Sequence, residues 1–198
     1  MTTEKLSTEI RKEQIAEAVL QVLGDNNIKR FNMADIAGQV GLVPSALYRH
    51  FKGRDALMSA VLELIRSKLY GNIEAVRQQT DGAVDRLRDL LFRHGQLICQ
   101  NHGIPRIIFS DELWGQKRER RQRVYRIVTG YLAEIEDIIR EGQDQGSIRR
   151  DIQARVMAAM FFGIVQPAAL LWHMSDGVYD VEGHVTAAWP IFLETITR

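Results

Sequence analysis

The 198 residues are 45% hydrophobic and 26% charged, a globular composition that sets aside collagen, intrinsic disorder and a polytopic membrane protein. Twenty-six lysines and arginines against 25 acids leave a formal net charge of +1, so bulk charge cannot hold the chain to nucleic acid and any such signal must be local. The single cysteine, Cys99, permits no intrachain disulfide, and the first residues MTTEKLSTEIRKEQ lack the apolar stretch of a signal peptide, so the expected location is cytoplasmic.

Apolar residues recur at helical spacing nearly throughout and no strand alternation competes, which predicts an all-α fold. Ile15, Ala18, Val19, Val22 and Leu23 form the first stripe, ended by turn residues from Gly24 to Asn27. Asn32 is placed to cap a helix of about two turns whose apolar face is Met33, Ile36, Ala37 and Val40. Gly41 can take the left-handed conformation that ends that helix, Leu42 fills the corner, and Pro44 starts the next one without losing a bonded N–H. Two short helices meeting at a tight turn make a helix-turn-helix, whose second helix enters the major groove of DNA and must present small or polar residues outward. Ser45, Ala46, Arg49 and His50 suit the outward face, and Leu47 and Phe51 the buried one. Charge agrees. Residues 29 to 54 carry Lys29, Arg30, Arg49, Lys52 and Arg54 against Asp35 alone, a balance of +4, whereas the 28 residues before them sum to −2. Positive charge is therefore expected to be confined to the segment where a phosphate backbone would lie.

Further stripes follow: Leu57 to Leu69, then Leu87, Leu91, His94 and Ile98, a break at Gly103 and Pro105, and a long run from Val124 to Ile139. Short helices up to about Phe51 and longer ones after it imply two functional parts. The run Lys117 to Arg126 holds six basic residues and one acid, and reads as a solvated helix start whose charge Asp111 and Glu112 offset. Val156 to Met174 is apolar apart from Gln166 and His173 and approaches the ~20 residues that span a bilayer. Pro167 at its middle and the small residues Ala158, Ala159, Gly163, Ala168 and Ala169 favour a buried helix instead, so no membrane partner is expected. His94 and Cys99 point about 140° apart on a helix, so with His102 they are not read as a metal site. No P-loop, nucleophile elbow or HExxH pattern occurs, and no catalytic residue or cofactor is assigned.

Taken together, Ile36-Ala37, Gly41, Leu47-Tyr48-Arg49-His50-Phe51, Arg54 and Leu57 resemble the N-terminal signature of TetR-type (tetracycline-repressor-like) transcriptional regulators, over residues 10 to 65. The turn glycine, the Leu-Tyr pair and the His-Phe pair keep their spacing together. Two positions depart from the family's habit, Val43 where a capping Ser is common and Ser45 where Gly is common, so no operator sequence carries over. The resemblance implies a three-helix helix-turn-helix domain over 1–53 and a larger helical effector-binding and dimerisation domain over 54–198. It also implies that Tyr48 and Arg54 hold phosphates, while Ser45, Ala46, Arg49 and His50 lie nearest base edges or backbone. Asn32, Pro44 and Lys52 complete the DNA-facing set. The implied mechanism is repression: a ligand tilts the helix that begins near Arg54, changes the separation of two recognition helices in a homodimer, and loses the match to half-sites ~34 Å apart.

The helices of residues 153 to 174 and about 182 to 197 are more apolar than one small domain can hide, and are expected to form the dimer surface. Aromatic residues concentrate beyond residue 80, where a pocket could form. Phe162, Gln166, Ala169, Leu170 and His173 share one stripe, and His94 shares a face with Leu87, Leu91 and Ile98. A hydrophobic or aromatic small-molecule effector is expected, hydrogen-bonded by His94, Gln166 or His173 beside Leu91 and Phe162, with Phe109, Trp114 and Tyr125 as walls. A constitutive DNA-binding protein without an effector, and a helical enzyme, are the alternatives.

Overall fold

In the computed structural model, residues 2–24, 32–109 and 118–197 are described, and every regular element among them is an α-helix. Trp114 lies outside the described residues, as do Lys29, Arg30, Asp111 and Glu112. The chain forms two units that sequence order does not separate: Met1–Ser67 with Asn101–Arg123, and Lys68–Gln100 with Val124–Arg198.

The first unit contains α1 (Thr2–Gly24), α2 (Met33–Gln39), α3 (Pro44–His50), the start of α4 (Arg54–Gln79), α6 (Gly103–Ile108) and the first turns of α7 (Arg118–Gln145). Its core is built from Ile15, Val19 and Leu20 of α1, Ile36 and Ala37 of α2, Leu47 of α3, and Leu57 and Val61 of α4, all buried. At 23 residues α1 exceeds the short element expected ahead of Phe51. Its first half has no apolar stripe but is rich in Glu, Lys, Arg and Gln, which lose little freedom in a helix. An i,i+3 ion pair between Lys12 and Glu9, at 2.9 Å, adds local support.

The break at Gly103 and Pro105 is a docking point: α6 starts there and packs on α1. A Cβ at position 103 would stand 2.0 Å from the Leu20 carbonyl oxygen, so only glycine allows this approach.

The basic run at the start of α7 corrects the expectation of a solvated helix end. Arg120 is only 7% exposed and pairs with Asp55, and Arg123 donates to the Ser59 carbonyl at 3.2 Å, while Arg118, Arg121 and Arg126 stay exposed. The partner carboxylate comes from α4, 65 residues away in sequence, where no local pattern could reveal it.

The second unit contains the rest of α4 and α7, with α5 (Ala83–Gln100), α8 (Ala154–Met174) and α9 (Val181–Thr197). The helices α5, α8 and α9 pack on one another. Glu141 of α7 joins Arg77 of α4 at 2.6 Å and Arg86 of α5 at 2.8 Å, a charge-assisted triad across three helices. The α7–α8 turn is held by Gln143, whose side-chain amide donates to the carbonyls of Arg149 and Ile152 at 2.8 and 2.9 Å.

By length and composition α8 could cross a membrane. Here Ala158, Phe161, Val165, Ala168 and Trp172 form a buried face within the unit, and Pro167 lies on the exposed side.

Candidate functional site

The DNA-facing candidates depend on two local devices. Asn32 caps α2: its Oδ1 accepts the Asp35 backbone N–H at 2.8 Å, and its side-chain amide donates to the Asp35 carboxylate. At the other end Gly41 takes φ +69°, and the Leu42 N–H reaches back to the Ala37 carbonyl at 2.8 Å, which closes the helix and turns the chain. Residue 43 is then extended and Pro44 opens α3 with φ already fixed.

With Leu47 and Phe51 buried, helical geometry puts Ser45 and Arg49 on the opposite side of α3. Asn32, Pro44, Ser45, Arg49, Lys52 and Arg54 are exposed, Tyr48 is 54% exposed, and Ala46 and His50 are half-buried. His50 is held below the usual histidine range by partial burial and then by the positive charges of Arg49, Arg11 and Lys12. Positive charge is therefore not confined to residues 29–54. Arg11 and Lys12 of α1 stand close enough to His50 to act on it, although Lys12 also pairs with Glu9. The −2 balance of the preceding segment conceals this pair, because its acids and its cations are averaged along the chain.

The arrangement is a short helix with a small and polar outer face, flanked by cations. It can enter a major groove while its flanks neutralise phosphates.

A different constellation occupies the second unit. His94 of α5 is 3% exposed and Tyr131 of α7 is fully buried. The Tyr131 hydroxyl lies 3.5 Å from His94 Nδ1, the outer limit of a hydrogen bond, with the rings edge to face at 5.4 Å between centroids. Phe162 of α8 sits 5.9 Å from His94 and 6.2 Å from Tyr131, and Tyr70 of α4 is 6.5 Å from Tyr131. Four helices thus each send one ring into the cluster. Leu91 is buried a turn before His94, and Gln166 and His173 follow Phe162 along α8, both half-buried. Tyr131 and Tyr70 were absent from the expected effector set. Tyr131 was visible only as one member of the apolar stripe of α7. Tyr125 is 69% exposed on α7, and Phe109 belongs to the first unit.

Burial lowers the His94 pKa to about 4 and pushes the Tyr131 phenol far above its ordinary value, so both are neutral at pH 7.

Two family models divide the chain between them. The model for bacterial regulatory proteins of the tetR family matches residues 15–61, and that for the C-terminal region of YsiA-like protein matches residues 65–195. The chain belongs to the TetR family of bacterial regulatory proteins. This TetR-family regulator is 25% identical over 168 residues to the fatty acid metabolism regulator protein of Bacillus subtilis (strain 168), covering 85% of this chain and 86% of the relative. It is 24% identical over 182 residues to the nucleoid occlusion factor SlmA of Vibrio campbellii (strain ATCC BAA-1116), covering 91% and 93%. Its fold is similar to that of the fatty acid degradation regulator FadR from Bacillus halodurans, with a TM-score of 0.78 at 20% identity, covering 92% and 94%. FadR from Bacillus subtilis, solved in complex with stearoyl-CoA, gives 0.74 at 24% identity, covering 91% and 96%. The TetR family makes the chain a DNA-binding transcriptional regulator, and the match over residues 15–61 spans the α2–α3 pair described above.

Burial of His94 should make the stability of this regulator depend on pH. Above pH 6.5 the imidazole is neutral whether the chain is folded or unfolded, and contributes nothing. Below it the unfolded chain takes up a proton that the folded chain refuses until about pH 4. Stability should therefore fall with acidification by ~1.4 kcal/mol per pH unit across that window, about 3 kcal/mol in all from this residue. Denaturant unfolding of the wild type and His94→Phe from pH 7 to 4 should show a slope shallower by that amount in the variant. Equal slopes would place the charge elsewhere.

Proposed function

We propose that the protein is a homodimeric repressor that leaves its operator when a small effector with a large apolar part binds the second unit. The first unit acts on DNA through α2, α3 and Arg54, and the second unit binds effector and dimerises. The observation that carries the reading is the His94–Tyr131–Phe162 cluster, a polar pair flanked by the rings of Phe162 and Tyr70, one ring from each of four helices of the second unit. Such a centre can orient one polar group of a mainly apolar ligand, with Leu91 lining it and Gln166 and His173 adding hydrogen bonds along α8. A fatty acyl thioester is the first compound to try, since relatives are named for fatty acid metabolism and a similar fold carries stearoyl-CoA. Tyr125, being exposed, is the weakest member of the proposed set; Phe109 belongs to the first unit and is left out of it, and Trp114 lies outside the described residues. Residence in the cytoplasm and the absence of catalytic chemistry belong to the same proposal.

A second reading, constitutive DNA binding without an effector, is favoured by the likeness to a nucleoid occlusion factor over most of the chain. Thermal melting with stearoyl-CoA, free CoA and a panel of aromatic compounds separates the two. Saturating apolar ligand at ~100 times its Kd should raise Tm by about 5–10 °C and release bound DNA, and Phe162→Ala and Gln166→Ala should blunt both responses. Indifference to every apolar compound favours the constitutive reading.

For the dimer, support comes from apolar residues left exposed on α8 and α9, including Met160, Leu171, Met174 and Ile191. Light scattering at micromolar concentration should give twice the chain mass, and Leu171→Glu with Ile191→Glu should give one chain mass. A monomeric wild type sinks this part.

At the DNA interface, Arg54 and Tyr48 hold phosphates and Arg49 reads base edges, with Asn32, Pro44, Ser45, Ala46, His50 and Lys52 around them. Arg54→Ala should weaken binding to all duplexes alike and lower the salt slope by about one, whereas Arg49→Ala should also relax sequence preference. Titrations on specific and scrambled duplexes at several salt concentrations distinguish them, and identical behaviour of the two variants would refute the assignment.

A further inference from the structure

Val43 leads into the recognition helix α3. Its backbone is extended, at φ −75° and ψ 146°, and its carbonyl accepts the N–H groups of Ala46 and Leu47 at 2.9 and 3.3 Å. The side chain makes no capping bond and is 64% exposed. Ser, Thr, Asn and Asp are favoured at such a position because their oxygen accepts a backbone N–H. Valine gives up that bond and presents a branched apolar surface to water as well. Neither helix capping nor core packing accounts for it.

The surroundings say what that surface meets. Pro44 and Ser45 beside it are exposed, Ala46 is half-buried, Arg49 is an exposed cation within α3, and Lys52 and Arg54 follow past its other end. The leading edge of α3 is thus apolar, while the cations lie further along the helix and past its end. Phosphate oxygens offer nothing to a valine side chain, but the major-groove edge of an A·T pair carries the thymine 5-methyl group, which takes apolar contact.

We propose that Val43 is a sequence-reading residue, packing its methyl groups against a thymine 5-methyl in each half-site. The proposal rests on the reading of α3 as the helix that enters the groove. It adds a determinant outside the polar and charged set, and makes the departure from the common capping serine part of operator choice.

The test uses the full-length protein and a pool of randomised DNA duplexes. The wild type should enrich half-sites with thymine at one fixed position. Replacing that thymine by deoxyuridine removes only the methyl group and should weaken wild-type binding about fourfold per half-site. Val43→Ser should enrich sites without that preference and feel the same replacement less than twofold. The serine supplies a capping oxygen, so its melting temperature should equal or exceed the wild type, which separates lost reading from lost folding. The proposal is overturned if deoxyuridine at each thymine of the enriched half-site, tried singly, leaves wild-type affinity within twofold, or if it costs both proteins equally. If the wild type enriches no sequence while remaining folded, DNA recognition by α3 itself fails, an outcome distinct from a site read without the methyl.

Discussion

Burial of Leu47 and Phe51 is the interaction on which the DNA-facing surface depends, because α3 has only seven residues and isolated helices below ~12–15 residues are marginal in water. Such a helix exists only while something larger holds it. Leu47 in the middle and Phe51 just past the end pin one side of α3 to a core shared with Ile36, Ala37 and Leu57. Gly41 and Pro44 then fix the direction from which the chain enters. Because one side is fully committed to packing, Ser45 and Arg49 on the other make no demand on the fold, and their chemistry can follow the DNA sequence. The same division explains how an apolar residue can stand exposed at position 43 without loosening the motif.

The second unit carries the opposite arrangement, with polar atoms inside an apolar enclosure. A buried imidazole and a buried phenol each cost free energy unless a hydrogen bond offsets it, and the one between Tyr131 and His94 is at the limit of useful length. Well-packed phenylalanines would give a more stable core at both positions. The pair is understandable if the site trades some stability for a group that can bond a ligand, and burial keeps His94 neutral and so able to accept or donate.

Much of this was legible in the sequence where the controlling interaction is local. Asn32 capping its own helix, Gly41 ending it and Pro44 starting the next act over a few residues, and all three stand as periodicity and turn chemistry imply. Illegible features share a different cause. The burial of Arg120 needs Asp55, the charge around His50 needs Arg11 and Lys12, and the glycine at 103 needs the Leu20 carbonyl. Each partner is tens of residues away, so averaging charge or hydrophobicity along a window erases the signal. Tyr125 is a separate case: it falls off the Val124–Ile127–Tyr131 stripe, so its helical position already argued for the exposure it shows.

The apolar length of α8 follows from the same reasoning about faces. A helix at the edge of a helical unit ordinarily needs one apolar stripe, about a third of its circumference. Here Ala158, Phe161, Val165, Ala168 and Trp172 supply that stripe, yet Val156, Met160, Leu170, Leu171 and Met174 are apolar on the remaining surface. A bilayer would explain apolarity all round, but it would not select a polar amide such as Gln166 for the middle. Close approach of another helix suits Ala159 and Gly163 at exposed positions, since small residues let backbones near one another. Two apolar faces on one helix therefore suit two protein surfaces: the chain's own core for one, and for the other the second copy proposed above.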